Sequence, residues 1–472
     1  MSARQPRLLL GVVMVAAAVT WGRRQLLALE VFREQWSQDL AFFNQILSSA
    51  LDGRPWTSPI LLEPVGFFEM VHFHPIFAAL LPLYALAPGT AFLVLVNVVA
   101  VVSAAWPLAE LGREASGRAW FGLAAGLAFL VWAPTESAAG ADFRPMALWV
   151  PALAWMLLGL YRQSWRTWVP AALAVCLIRE ESAYVLPLCG VVLWGVPWGG
   201  WRRREGSALV VLGLVWLGVL LALRENMFFH FDPRALLQGG GPEVPEALVS
   251  ERLRFAAHGM LGGYLFSPAG PAPLAMSAGP GWWLFTDTHR EWHGFVGTTV
   301  YLRSALLPLW AAAGTVGAGV LLRRWPKLAW PLGVWLVLGN TLTFSEDRER
   351  MARRAEMLES ERARDEVAAL QRLVGHVRPE DRVATEYRLM AALSGRRVLW
   401  NVNHMYADDG QPPHWTAAWP LGLERVDTVL LPVEHPFTPR LEAEFELGHR
   451  EGDWGLWRRS VAPEGGMPEP LN

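Results

Sequence analysis

Five stretches of the chain place ionisable side chains where they could do chemistry. The first is Trp36-Ser37-Gln38-Asp39-Leu40-Ala41-Phe42-Phe43-Asn44-Gln45. Phe43, Leu47 and Leu51 follow Asp39 at a four-residue step, with Phe42, Ile46 and Ala50 beside them, so the spacing predicts a helix with one apolar face. Ser37 or Asp39 could cap it and Gly53 could end it. A carboxylate heading an apolar helix at a membrane edge is a candidate acid or base over a greasy substrate; the plainer alternative is a capping aspartate on a surface helix. The second is His72-Phe73-His74-Pro75, two imidazoles that an extended segment would point the same way, toward a metal or a phosphate. The alternative there is a pair of interfacial histidines beside a helix-starting proline. The third is Asp142-Phe143-Arg144-Pro145: Arg144 could hold a phosphate through two parallel hydrogen bonds, or pair with Asp142. An Asp cap with a snorkelling arginine is the competing view. The fourth, Arg179-Glu180-Glu181, interrupts an apolar run, and burying it requires partners or a water-filled cavity. A structural ion pair between helices would also account for it. The fifth, Thr286 to His293, lies between Trp282-Trp283 and the next apolar segment. It could cover a cavity, with His289 and His293 touching substrate, or be an ordinary interfacial loop.

These stretches lie between long apolar segments. Of 472 residues, 53% are hydrophobic and only 18% charged, and mean hydropathy is positive, which together indicate a polytopic membrane protein. The net charge of -2 gives no reason to expect a nucleic-acid partner. Cys176 and Cys189 both sit in apolar segments, which argues against a disulfide framework or a zinc site. Apolar segments are predicted at Leu8–Trp21, Pro75–Leu111 with a break at Ala87-Pro88-Gly89, Ala119–Ala133, Phe143–Tyr161, Trp168–Pro197, Ala208–Leu223, Val300–Leu322 and Leu328–Phe344. The run Trp168–Pro197 must divide at residues 179–181, because each charge facing lipid would cost about 2.5–3.5 kcal/mol.

With the N-terminus in the cytoplasm, the basic loops 112–118, 162–167, 199–206 and 323–327 fall on the cytoplasmic side. Asp39, Asp142, Glu180, Glu181, His289 and His293 then fall on the other side, and Arg23-Arg24 is the exception. The expected organisation is a transmembrane helix bundle over residues 1–344, with long outer loops at 22–74 and 224–298. An extracytoplasmic part follows at 345–472: a charged helix to Leu373, then a small α/β domain. Its strands are expected at Arg382–Thr385, Arg397–Trp400 and Asp427–Leu431, with a helix at Tyr387–Leu393 and a disordered tail.

The stretches Asp39-Leu40-Ala41-Phe42-Phe43-Asn44-Gln45, His72-Phe73-His74-Pro75-Ile76, Pro82-Leu83-Tyr84, Asp142-Phe143-Arg144-Pro145 and Arg179-Glu180-Glu181 resemble a bacterial membrane-protein family, domain of unknown function 2079, grouped with the GT-C glycosyltransferases. The resemblance covers most of residues 30–345. It continues more weakly at Arg382-Val383-Ala384-Thr385, Leu393-Ser394-Gly395-Arg396-Arg397 and Val426-Asp427-Thr428-Val429-Leu430. The family often carries histidine where Arg144 stands.

The resemblance implies a mainly α, GT-C-type bundle in the bacterial inner membrane. It would take a sugar from a polyprenyl-phosphate donor at the periplasmic face. In that frame Asp39 would serve as catalytic base or metal-coordinating group, and Glu180 or Glu181 would orient acceptor or metal. Arg144, Arg179 or a divalent ion (Mg or Mn) on His72 and His74 would receive the leaving phosphate. A transporter or flippase of a lipid-linked or polar substrate is the rival expectation, since ionisable groups at broken helices suit it too.

Overall fold

In the computed structural model the described residues are 4–34, 37–54, 56, 58, 60, 73–196, 198, 203–223, 264–278, 295–343, 345–402 and 426–460. His72, His289, His293, the Trp282-Trp283 pair and the tail 461–472 lie outside them. The described residues group into two compact units. One draws on Met1–Gly22, His72–Ile76 and Val96–Ala352, the other on Arg23–Val71, Phe77–Leu95 and Arg353–Asn472.

The first unit is a helix bundle. Among the described residues four helices are long and apolar enough to cross a membrane: Arg4–Glu30, Thr90–Ser116, Arg203–Leu223 and Ala305–Arg324. Helix α1 (Arg4–Glu30) turns Leu8, Val12, Val15 and Val19 outward, a stripe at helical spacing that suits lipid rather than core. Helices α4 (Thr90–Ser103) and α5 (Ala105–Ser116) follow one another with a break at Ala104. Next come α6 (Ala119–Leu130) and α7 (Ala133–Ala139), bent by 60°, then α8 (Trp149–Tyr161), α9 (Trp165–Ile178), α10 (Ser182–Gly195) and α11 (Arg203–Leu223). The break between α9 and α10 falls on Arg179-Glu180-Glu181.

Close approach of helices rests on small residues, as it must where lipid is as apolar as leucine. A side chain added at Gly190 of α10 would meet the carbonyl oxygen of Gly206 on α11 at 2.4 Å, and one added at Gly206 would meet that of Gly190 at 2.7 Å.

Arg7 of α1 and arginines of three of the basic loops, Arg113, Arg162 and Arg323, converge on Glu110 and Glu114 of α5. Glu110, 6% exposed, accepts from Arg7 at 2.7 and 2.8 Å, from Arg113 at 2.9 Å and from Arg162 at 3.0 Å. Glu114 accepts from Arg162 at 2.6 Å, and its carbonyl accepts from Arg323. The arginines that mark topology in the sequence therefore also tie α1, α5, α8 and the long helix ending at Arg324 together at one end of the bundle. Changing Glu110 to glutamine should lower stability by about 1–3 kcal/mol, below the cost for a fully buried pair because the arginines keep some solvent. Thermal denaturation of the purified protein in detergent measures this; an unchanged midpoint would remove the network as a structural tie.

In the second unit α2 (Ser37–Leu51) packs Leu40, Phe43, Ile46 and Leu47 inward, with Phe43 edge-on to Phe77 at 5.5 Å. It ends where Gly53 takes a positive φ of 72°: the Arg54 N–H returns to the Ser49 carbonyl and the Gly53 N–H to that of Ala50. The C-terminal sheet has the order β2-β1-β3-β5-β4. Strands β1 (Val383–Thr385), β2 (Leu399–Asn401) and β3 (Thr428–Pro432) are parallel, Val383 pairing with Leu399 and with Thr428. Strands β4 (Phe445–Glu451) and β5 (Trp454–Arg459) continue it antiparallel. The core gathers Ala384, Trp400, Val429, Leu431, Phe437 and Trp457. A 3-10 turn at Tyr387–Leu389 and a short helix at Met390–Leu393 connect β1 to β2. Arg23, the exception to the charge rule in the sequence, forms an ion pair with Glu359 at 3.1 Å, and Arg33 meets buried Glu361 at 3.3 Å. Acidic residues near the end of the charged helix Ser345–Arg362 thus answer Arg23 of α1 and Arg33 just beyond it.

Candidate functional site: charges at the helix breaks and on helix α2

The loop Gly140–Arg144 is held from a neighbouring helix. Asn97 of α4, 1% exposed, donates to the carbonyls of Ala138 at 3.0 Å, Ala139 at 3.3 Å and Ala141 at 3.1 Å, and accepts the Arg144 N–H at 3.4 Å. One amide side chain thereby satisfies the end of α7 and sets the backbone that carries Asp142 and Arg144, 1% and 5% exposed. Nothing ionisable marks Asn97 in the sequence. The available signal was a lone amide inside an otherwise apolar helix, where a polar side chain needs a partner. Replacing it with leucine leaves those carbonyls facing apolar surface. The expected loss is about 1–3 kcal/mol, read as a lower melting temperature together with faster proteolysis at residues 138–144. Melting and cleavage unchanged in Asn97→Leu would show that the loop is held by something else.

At the other break, Ile178 ends α9, Arg179 is extended and Glu181 precedes the first turn of α10. The Ser182 hydroxyl donates to the Arg179 carbonyl at 2.6 Å. The Arg179 guanidinium lies 2.6 Å from Glu181 Oε1 and 4.0 Å from Glu180 Oε1, and its Nη1 touches Met146 Sδ at 2.5 Å. Met146 belongs to the 3-10 segment Pro145–Leu148 that follows Arg144, so the two charged loops adjoin. The Phe73 N–H donates to Glu180 Oε2 at 3.0 Å, and Phe73 stacks on Trp216 of α11. His74 Nδ1 lies 2.6 Å from the Ile178 carbonyl. A carbonyl only accepts, so Nδ1 carries a proton and donates it to this bond.

His74, Arg179 and Glu180 therefore meet at one break. Asp142 and Arg144 sit on the loop that abuts it through Met146. Arg179 lies against Glu181 in the break itself. Among the described residues no three His, Cys, Asp or Glu side chains come together as a metal ion needs. The expected metal pair of His72 and His74 is only half described, since His72 lies outside those residues.

Asp39 lies in the second unit, in the first turn of α2. It is half-buried, whereas Ser37, Gln38 and Leu40 around it are buried. The Ser37 hydroxyl accepts the Ala391 N–H at 2.9 Å instead of standing as a cap ahead of the helix. Gln38 Oε1 accepts from Asn401 Nδ2 at 2.7 Å. Asn44 Nδ2 donates to the Ser394 hydroxyl at 3.0 Å, and Gln45 Nε2 to the Arg396 carbonyl at 3.1 Å. The Tyr84 hydroxyl donates to Asn44 Oδ1 at 2.7 Å. None of these partners was legible from spacing. Close by in sequence to the 391–401 segment, burial pushes the Glu386 carboxyl above the ordinary range, while the Arg388 guanidinium holds Glu366 below it against the opposing effect of burial.

No curated protein matches the chain at a significant level. Among solved structures, ArnT from Cupriavidus metallidurans bound to undecaprenyl phosphate is similar at a TM-score of 0.55 and 15% identity, covering 94% of this chain and 97% of that one. The same protein in the apo state matches at a TM-score of 0.51 and 13% identity over the same shares. At such identities the likeness is one of fold. Residues 37–228 match the family described as "Predicted membrane protein (DUF2079)", a span that contains every quoted stretch from Asp39 to Glu181 and stops short of the C-terminal sheet. The chain is thus a membrane protein whose helix bundle, with a small C-terminal α/β domain, shares the GT-C-type fold of these structures, and the match to the DUF2079 model is confined to residues 37–228.

Proposed function

We propose that the chain is an integral-membrane glycosyltransferase moving a sugar from a polyprenyl-phosphate donor to an acceptor hydroxyl at the periplasmic face of the inner membrane. The observation that carries this is the likeness of fold, over nearly the whole chain, to a structure holding undecaprenyl phosphate. In the reaction, Asp39 takes the proton of the acceptor hydroxyl as its oxygen bonds to the anomeric carbon. The bond from that carbon to the phosphate oxygen breaks, and the polyprenyl phosphate leaves with the electron pair. Its added negative charge falls to Arg144, a buried cation on a backbone that Asn97 fixes in advance. Glu180 and Glu181 hold Arg179 and the Phe73 N–H, and through them the shape of the break.

The gathering of basic loops on Glu110 and Glu114 supports putting that end of the bundle in the cytoplasm. Transport or flipping of a lipid-linked substrate is the second reading. The α9–α10 pair, apolar helices interrupted by buried charges, favours it.

Proteoliposomes loaded with a panel of polyprenyl-phosphate sugars separate the two. A transferase releases sugar-free polyprenyl phosphate once an acceptor extract is added. A transporter moves the intact donor between leaflets and releases none.

A further inference from the structure

Helix α2 buries an unusual set of polar side chains. Ser37, Gln38, Asn44 and Gln45 are each 7% exposed or less. Buried polar groups are costly unless they are bonded, and one segment of the C-terminal domain supplies partners for all four: the Ala391 N–H, the Ser394 hydroxyl, the Arg396 carbonyl and the Asn401 amide. We infer that this segment is a working part of the Asp39 site, with Asn401 as a positioning residue that sets where the Asp39 carboxylate stands. The inference rests on the assignment of Asp39 as base.

The physical argument concerns what apolar packing alone leaves undetermined. Leu40, Phe43, Ile46 and Leu47 would hold the helix down, but a greasy face tolerates small rotations and slides along the axis. Hydrogen bonds of 2.7–3.1 Å do not. The bonds come at two points: Ser37 and Gln38 in the first turn, Asn44 and Gln45 about two turns, or about 10 Å, further on. Attachment at two heights fixes rotation and slide together. The bond nearest the chemistry is the one to Gln38, the residue before Asp39. Its donor, Asn401, is the last residue of β2, paired along its length with β1 and buried at 1% exposure. A rigid sheet thus fixes Gln38, and Asp39 follows as the half-buried neighbour. A misplacement of about 1 Å can cost up to about 100-fold in rate, so register of this kind matters to a base.

The test uses the full-length protein carrying Asn401→Ala, with Ser394→Ala as a second variant should the first fail to fold. One arm needs no substrate: Asp39 is labelled with a water-soluble carbodiimide and its modification followed by mass spectrometry. Faster labelling of Asp39 in Asn401→Ala than in the wild type, with both proteins labelled well below their melting temperatures, is the expected result. The other arm measures release of polyprenyl phosphate. Asn401→Ala is expected to lower kcat about tenfold at an unchanged KM for the donor. It should cost nothing further in an Asp39→Asn background, where the base it positions is already gone. Unchanged labelling, or losses that multiply in the double variant, would overturn the inference and leave the bonds as ordinary stabilisation. If the wild-type protein releases no polyprenyl phosphate, the transferase reading fails, and the labelling arm still decides whether the C-terminal domain positions Asp39.

Discussion

Asp39→Asn is expected to slow release of polyprenyl phosphate by about 10²–10⁴-fold while leaving the melting temperature where it was. Asparagine has the shape of aspartate and keeps a hydrogen-bonding end, so helix α2 should form as before. The apolar contacts of Leu40, Phe43 and Leu47 and the bonds at Ser37 and Gln38 are untouched by the change. What is lost is the ability to take a proton. A loss in kcat with little change in KM is the signature of a group used in the transition state and not in ground-state binding. Equal turnover in wild type and variant would remove Asp39 from the chemistry and return it to the role of a first-turn helix aspartate.

The largest loss of stability is expected at Arg179. Changing it to leucine leaves Glu181, 2.6 Å from the guanidinium, and Glu180, 9% exposed, without their cation in an apolar setting. Removing one member of a buried ion pair costs about 3–5 kcal/mol, because the remaining charge keeps its desolvation penalty. The effect should appear as a lower melting temperature in detergent, and in cells as reduced abundance. The double variant Arg179→Leu with Glu181→Gln should recover part of the loss, since the orphaned charge is then gone. If single and double variants melt alike, the break between α9 and α10 is held by the Phe73 and Ser182 bonds and not by the ion pair.

Much of the bundle was legible in the sequence because membrane energetics are severe. Three adjacent charges inside an apolar run leave few choices, and the helix does break at residues 179–181. The three parallel strands stood out as short β-branched and aliphatic runs. The β4–β5 hairpin did not. Strand β4 contains Glu446, His449, Arg450 and Glu451, lies at the sheet edge, and exposes most of its residues, so its pattern resembles a loop.

The candidate site was legible only in its ionisable members. His74, Arg179 and Glu180 announce themselves by type. Asn97 and the amides of α2 act through partners distant in sequence, such as Ser394, 350 positions from Asn44, and no local spacing encodes such a pairing. The Arg23-Arg24 exception to the charge rule was visible. Its acidic answer at Glu359 was a matter of packing.

Retention of a polyprenyl phosphate by the purified protein can be read by native mass spectrometry from detergent. One bound undecaprenyl phosphate is expected on the wild-type protein. A clear preference over the uncharged polyprenol is also expected, and loss of that preference in Arg144→Gln when both proteins are measured well below their melting temperatures. Equal retention of phosphate and alcohol, or undiminished retention in Arg144→Gln, would contradict that expectation.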